Sequence, residues 1–263
     1  MDPLRADELE RLLPARRLLA REVRILPDCK STQDEARNAG AQPGLLVAAE
    51  QQEAGRGRRA RDWWSGPPSS NLALTLVVTP SPEPPHLAGV AGAAALARTL
   101  EDWGSGPVAL KWPNDVLLGG AKVAGLLGEF LSGPPTAVLL GLGLNVHAAP
   151  PDAIAGYPVT CLADTLAARG RAPPDRTRLL AAFIWRLEAI LARAATAGPT
   201  ALEEDVLARL RLWAPRGVVE PGSSAPAGGP LLEFRFRTGL AYASGDTVIR
   251  RPLAALGTLA ALP

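Results

Sequence analysis

Four arginines fall within six positions of this chain, Arg56, Arg58, Arg59 and Arg61, interleaved with Gly55 and Gly57 and followed by Trp63 and Trp64. Glycine lets a backbone approach a ligand closely, and a guanidinium pairs with phosphate or carboxylate oxygens through a planar fork. The indoles beyond offer flat faces on which a nucleobase can stack. The run is neither G-x-G-x-x-G nor a Walker A loop, so the usual dinucleotide and P-loop chemistries are set aside. Two readings stand at this point. One is a loop that grips an anionic ligand; the other is an exposed basic loop that touches RNA or a partner.

A second set is Lys111-Trp112-Pro113-Asn114-Asp115, followed by Lys122, Gly125 and Glu129. The chain has 28 basic residues, and only Lys30, Lys111 and Lys122 are lysines. Lysine is a compact, tunable point charge, so two of three within 12 positions attract attention. A lysine across a hairpin from Asn and Asp can reach a phosphate that those groups flank. The plain alternative is a surface hairpin with solvated lysines. Gly141-Leu142-Gly143-Leu144-Asn145 is the third set. Small residues in a strand allow close backbone approach, and Asn at its end can bond a ligand. A tightly packed strand explains the same residues.

The elements that must position these groups are legible in outline. Residues 3–25 read as helical, with a break at Pro14. Residues 30–38 read as a helix start, where Ser31 with Asp34, and Thr32 with Glu35, match the capping pattern. Strands are expected at 45–49, 71–78, 108–111 and 136–146. Residues 54–68 read as a long loop, and 86–103 as a helix stopped at Gly104. Residues 116–118 and 122–130 form a hairpin about Gly119-Gly120. Helices are expected at 164–169, 176–195 and 201–213. Beyond Trp213 the texture turns to Pro, Gly and Ser with short strands near 231–236, 239–243 and 247–249. A boundary near 213–216 follows. No internal repeat is present.

Composition narrows the classes. The 263 residues are 47% apolar and 21% charged, which is globular and long enough to bury a core. The net charge of +2 argues against a broad nucleic-acid surface. No apolar run approaches a membrane span, and the N-terminus carries no signal peptide pattern. Cys29 and Cys161 lie far apart without CxxC spacing, which fits a reducing cytoplasm. With His86 and His147 alone, the composition argues against a multi-His metal site.

Read together, the three sets resemble biotin–protein ligase in order and spacing, strongly over about residues 25–147. The residues that carry it are Ser31-Thr32-Gln33, Glu50, Gln52, Gly55-Arg56-Gly57-Arg58, Arg61, Trp63, Lys111–Asp115, Lys122, Gly125 and Gly143-x-Asn145. The resemblance implies an α+β fold. A mixed-sheet catalytic domain like class II aminoacyl-tRNA synthetases and biotin ligases would span residues 1–213. A small, divergent SH3-like barrel would span 214–263, with 217–219 and 238–249 as strands and 223–230 as a Pro/Gly-rich insertion.

The resemblance also implies a cytoplasmic ligase that forms a C–N bond, using ATP and biotin as substrates with Mg²⁺. It would make biotinyl-5′-AMP and pass biotin to one lysine of a biotin carboxyl carrier domain. Lys122 and Arg58 would be catalytic. Ser31, Thr32, Gln33, Gln52, Gly55, Arg56, Gly57 and Gly125 would bind biotin beside them. Arg61, Trp63, Lys111, Asn114, Asp115 and Asn145 would serve the nucleotide. No metal ligand is assigned. The 25 residues before the matched segment leave no room for a DNA-binding domain, so neither specific DNA nor a membrane is an expected partner. A homodimer stays open. Gln33 stands where the family has Asn, and Ala60 where a Gly is common. Competing readings are a lipoate–protein ligase and an RNA- or DNA-binding module.

Overall fold

A computed structural model describes residues 2–79, 84–133, 136–151, 157–221 and 228–262. Seven strands form one mixed sheet. They are β1 (Glu22–Leu26), β2 (Leu45–Ala49), β5 (Leu72–Val78), β9 (Ala137–Leu144), β8 (Ala121–Leu131), β7 (Asp115–Leu118) and β6 (Val108–Lys111), in that spatial order. β1 and β2 run parallel, and the remaining neighbours are antiparallel. Every residue of β2 and β5 is buried, which explains why their sequences show no inside–outside alternation.

Helix α3 (Leu87–Asp102) packs against the sheet through alanines. A Cβ on Gly92 would lie 2.7 Å from Leu126 Cδ2, so glycine there sets how closely helix and sheet approach. Helix α5 (Arg176–Ala197) packs on α3, helix α6 (Thr200–Trp213) lies mainly against β6, and α5 starts where Asp175 accepts a bond from the Arg178 N–H at 3.0 Å. Short helices α1 (Ala6–Leu12), α2 (Thr32–Asn38) and α4 (Leu162–Ala167) complete the helical set among the described residues.

After α6 come two three-stranded sheets. One orders β11 (Gly228–Gly229), β10 (Val218–Val219) and β15 (Ala260–Ala261); the other orders β12 (Leu231–Arg235), β13 (Gly239–Ser244) and β14 (Thr247–Arg251). They are stitched to the larger sheet layer. Arg211 of α6 donates to the Leu231 carbonyl at 2.9 Å, and Glu203 accepts from the Phe236 N–H at 2.8 Å. One apolar core runs from Leu46, Leu74 and Leu140 through to Phe234, Leu240 and Tyr242.

Several expectations are corrected. Residues 3–25 are not one broken helix: only Ala6–Leu12 is helical, and Glu22–Leu26 is a strand. Val23 and Ile25 are β-branched, and residues 22–26 pair in register with 45–49, a partner the local sequence does not reveal. The expected loop at 54–68 contains a two-residue hairpin, β3 (Gly55–Arg56) with β4 (Asp62–Trp63), joined by a 3-10 turn at Arg58–Ala60. Ser31 stands at the N-cap of α2, yet its side chain makes no capping bond. The strands expected near 239–243 and 247–249 are present as β13 and β14, turning at Gly245, whereas β11 and β15 were not foreseen. Residues 223–227 of the expected insertion lie outside the described residues.

Candidate functional site

One cleft of about 740 Å³ opens over the sheet face, between α2, the β3–β4 hairpin and the β7–β8 hairpin. Its first wall is α2. The Thr32 N–H and Oγ1 both reach Gln52 Oε1, at 2.9 and 3.1 Å, and Thr32 Oγ1 lies 2.9 Å from Thr75 Oγ1 on β5. Those bonds occupy the carbonyl end of Gln52 and free its amide N–H groups to donate into the cleft. Gln33 donates to the Leu127 carbonyl at 3.2 Å, and its amide lies 3.2 Å from where a Cβ on Gly141 would be. Gln33 is therefore seated on the sheet floor.

The opposite wall is the β7–β8 hairpin. Lys122 Nζ lies 2.6 Å from Asp115 Oδ1, across the pair of strands as expected. The ammonium also sits 5.7 Å from the Trp63 ring centroid and 5.5 Å from that of Tyr157. The backbone of Lys122 is fixed on its other side, donating to the Pro158 carbonyl and accepting from the Thr160 N–H, both at 2.9 Å. Asn114 donates to the Leu126 carbonyl at 2.9 Å. Asn145 donates to Thr160 at 3.2 Å, while its Oδ1 is buried without a partner among the described residues. Trp112 is scaffold, packed on Phe234 and donating to the Leu256 carbonyl at 3.5 Å.

The arginine loop covers the middle. Gly57 N–H donates to the Arg61 carbonyl at 2.7 Å, closing the turn, and Arg59 takes a left-handed φ of 57°. Burial, with the neighbouring Arg59 charge, pulls the Arg58 guanidinium below its ordinary value, while Asp115 works the other way. Trp63 lies on the glycine floor: a Cβ on Gly143 would come 2.2 Å from its ring, and one on Gly125 3.4 Å. The close approach expected of the strand glycines is thus made by an indole. The Trp63 Nε1 is buried without a partner among the described residues.

The cleft brings together all the candidate residues but one. Gly55 is absent from its wall. It pairs with Trp63 in the hairpin, where a Cβ would meet the Trp63 carbonyl at 2.8 Å and the Gln52 amide at 2.9 Å. Its smallness lets the hairpin and Gln52 pack together. Sequence reasoning missed Thr75, Tyr157, Val159 and Thr258. Tyr157 and Thr258 reach the cleft from segments distant in sequence, and no local pattern marks them.

Six cationic side chains, Arg56, Arg58, Arg59, Arg61, Lys111 and Lys122, face two carboxylates, Asp62 and Asp115. The arrangement can bring two anions together in a partly dry groove. No group of three His, Cys, Asp or Glu that could hold a metal occurs among the described residues. Asp62 and Asp115 are the carboxylates open to a Mg²⁺ held largely by a nucleotide's own phosphates, the usual mode for that ion. No helix among the described residues is long and apolar enough to cross a membrane.

Residues 26–145 match the model of the biotin/lipoate A/B protein ligase family. The chain is 47% identical over 120 residues to a biotin–[acetyl-CoA-carboxylase] ligase of Paracoccus denitrificans, covering 41% of this chain and 48% of that protein. It is 36% identical over 175 residues to the enzyme of the same name from Mycobacterium tuberculosis, covering 63% and 60%. The chain thus spans about half the length of the curated relatives it matches. Among solved structures, a biotin protein ligase from Aquifex aeolicus in complex with biotin and ATP has a TM-score of 0.76 at 23% identity, covering 91% of this chain and 98% of that one. That likeness shows a shared fold.

Proposed function

For a chain whose residues 26–145 match the biotin/lipoate A/B protein ligase family model, we propose that it is an ATP-dependent biotin–protein ligase. The observation that carries this reading is one cleft in which Lys122 meets Asp115 at 2.6 Å, beside Arg58 and opposite the Thr32–Gln52 network. A carboxylate oxygen of biotin attacks the α-phosphorus of ATP. The bond from that phosphorus to the bridging oxygen breaks, and pyrophosphate leaves. Negative charge gathers where the two anions meet, and fixed cations there lower the barrier without a covalent enzyme intermediate. Lys122 stands at that point, and Arg58 holds the adenylate oxygens. Ser31, Thr32, Gln33 and Gln52, with Arg56, Gly57 and Gly125, receive biotin. Arg61, Trp63, Lys111, Asn114, Asp115 and Asn145 serve the nucleotide. Gly55 acts behind the hairpin, through packing. Asp62 or Asp115 would be available to a Mg²⁺ brought by ATP, whose charge would offset that of the phosphates.

In the second half-reaction the amine of a carrier lysine attacks the acyl carbon of the mixed anhydride. A C–N bond forms, AMP departs with the electrons of the broken C–O bond, and the amine proton passes to solvent. The acceptor is a biotin carboxyl carrier domain, and the reaction is cytoplasmic. Residues 1–213 are the catalytic unit and 214–263 a small appended β domain of SH3-like type. Biotin-dependent exchange of pyrophosphate into ATP tests the whole reading. Exchange with lipoate and none with biotin turns it toward a lipoate ligase. No exchange with either, together with steeply salt-dependent RNA or DNA binding, turns it toward a nucleic-acid module.

A further inference from the structure

The arginine loop is held to the rest of the cleft by ion pairs of Arg56. Arg56 Nη2 lies 2.7 Å from Asp34 Oδ1 on α2 and 4.0 Å from Glu129 Oε1 on β8. Arg37, one turn along α2, lies 3.3 Å from the same Asp34 oxygen and also pairs with Glu129. Four charges of alternating sign thus close a circuit joining hairpin, helix and strand. The helix is itself fixed in the wall through Thr32 and Gln33, and the strand carries Gly125. A loop tied to those two elements is tied to the walls that flank the reacting groups.

We propose that Asp34, supported by Arg37 and Glu129, is a positioning residue that holds the Arg56–Arg61 loop closed over the cleft and so keeps the acyl-adenylate from escaping before transfer. This rests on the ligase reading. The four side chains are 28 to 44% exposed, so salt weakens the circuit and its loss costs the fold little. What it shifts is the balance between closed and open loop. A half-exposed pair is sufficient to move such a balance by about five-fold. Retention suffers, because an open loop admits water and releases the intermediate. Charge build-up at the α-phosphate suffers less, because Lys122 stands on β8, off the loop, and keeps its place beside Asp115.

The test compares wild type with Asp34→Asn, Asp34→Glu and Glu129→Gln. Each protein makes biotinyl-adenylate without acceptor, and release of the intermediate is timed. Asp34→Asn and Glu129→Gln should release it about five-fold faster, with pyrophosphate exchange at saturating biotin within about two-fold of wild type. Asp34→Glu should restore retention. Raising salt should speed release from wild type toward the rate of Asp34→Asn and leave that variant unchanged, a response a merely structural residue would not give. Wild-type retention in both charge-removing variants overturns the proposal. Absence of exchange in wild type would instead reject the ligase reading. Tryptic cleavage at Arg56–Arg61 in ligand-free protein then decides the circuit by itself: faster cutting in both variants supports it, and equal cutting overturns it.

Discussion

At the scale of residues, the proposed ligase reading divides the cleft into groups that make charge tolerable and groups that hold the product of that step. Lys122, compact and pinned through its own backbone by Pro158 and Thr160, belongs to the first kind. Lys122→Ala should cut biotin-dependent pyrophosphate exchange by about 100-fold or more, the usual loss when a fixed charge-stabilising group is removed. Arg58→Gly should retain exchange better and shed adenylate; equal retention in that variant would contradict the division of roles. A different residue governs alkaline behaviour. Burial, helped by the acidic neighbours Glu35 and Asp28, pushes the Cys29 thiol from 9.0 up to about 11. The unfolded chain loses that proton near its ordinary value while the folded chain keeps it. Stability is therefore complete below pH 9 and falls as pH rises toward 11, by about 3 kcal/mol. Melting curves across that range should show the fall, and Cys29→Ala should flatten it. Burial and the Glu220 carboxylate push Tyr242 to about 12, so a second decline should follow at higher pH.

At the scale of elements, the floor of the cleft depends on two glycines that differ in what they tolerate. Gly143→Ala would drive a methyl group into the Trp63 ring, displacing β4 and its partner β3. Overpacking of this kind costs about 1–3 kcal/mol, and exchange should fall at least about ten-fold. Gly128→Ala, on the neighbouring strand, meets only Val138 Cγ1 at 3.7 Å and should leave exchange unaltered. Equal effects would remove the indole from the argument. These elements also show what a sequence can and cannot tell. Residues 45–49 were legible as a strand because a short apolar run between turn residues has few other fates. The hairpin at 115–131 was legible from Gly119-Gly120. The strand at 22–26 was not, because its pairing with β2 is decided some twenty residues away. Thr75 and Tyr157 were hidden for the same reason: each matters through a neighbour brought close only by folding. The linear motifs named the cleft well, since those segments must supply their chemistry whatever surrounds them. Gly55 lies behind the cleft wall, a placement its sequence does not reveal, because smallness serves packing and ligand contact alike.

At the scale of the whole molecule, the continuity of the core bears on the proposed division near Trp213. Phe234, Leu240 and Tyr242 share an apolar cluster with the sheet, and Arg211 and Glu203 bond across the junction. Two independently stable halves are not expected from such packing. The chain should unfold in one transition, and residues 1–213 alone should melt about 10 °C or more below the full chain. A truncated chain that melts with the full one would show the second part to be a separate unit. Thr258 on the cleft wall gives that part a place beside the chemistry as well.

A last consequence lies at the other end of the chain. Arg176, almost wholly buried, bonds the Asp2 carbonyl at 2.8 Å, the Asn71 carbonyl at 2.9 Å and Glu50 at 2.7 Å, while Glu50 also accepts from the Leu4 N–H at 2.5 Å. Glu50 stands two residues before Gln52. Tension applied to the first residues is therefore borne by the same bonds that anchor the start of the ligand loop. Pulled from its first residues, the protein would pass the load through Arg176 and Glu50 toward its cleft.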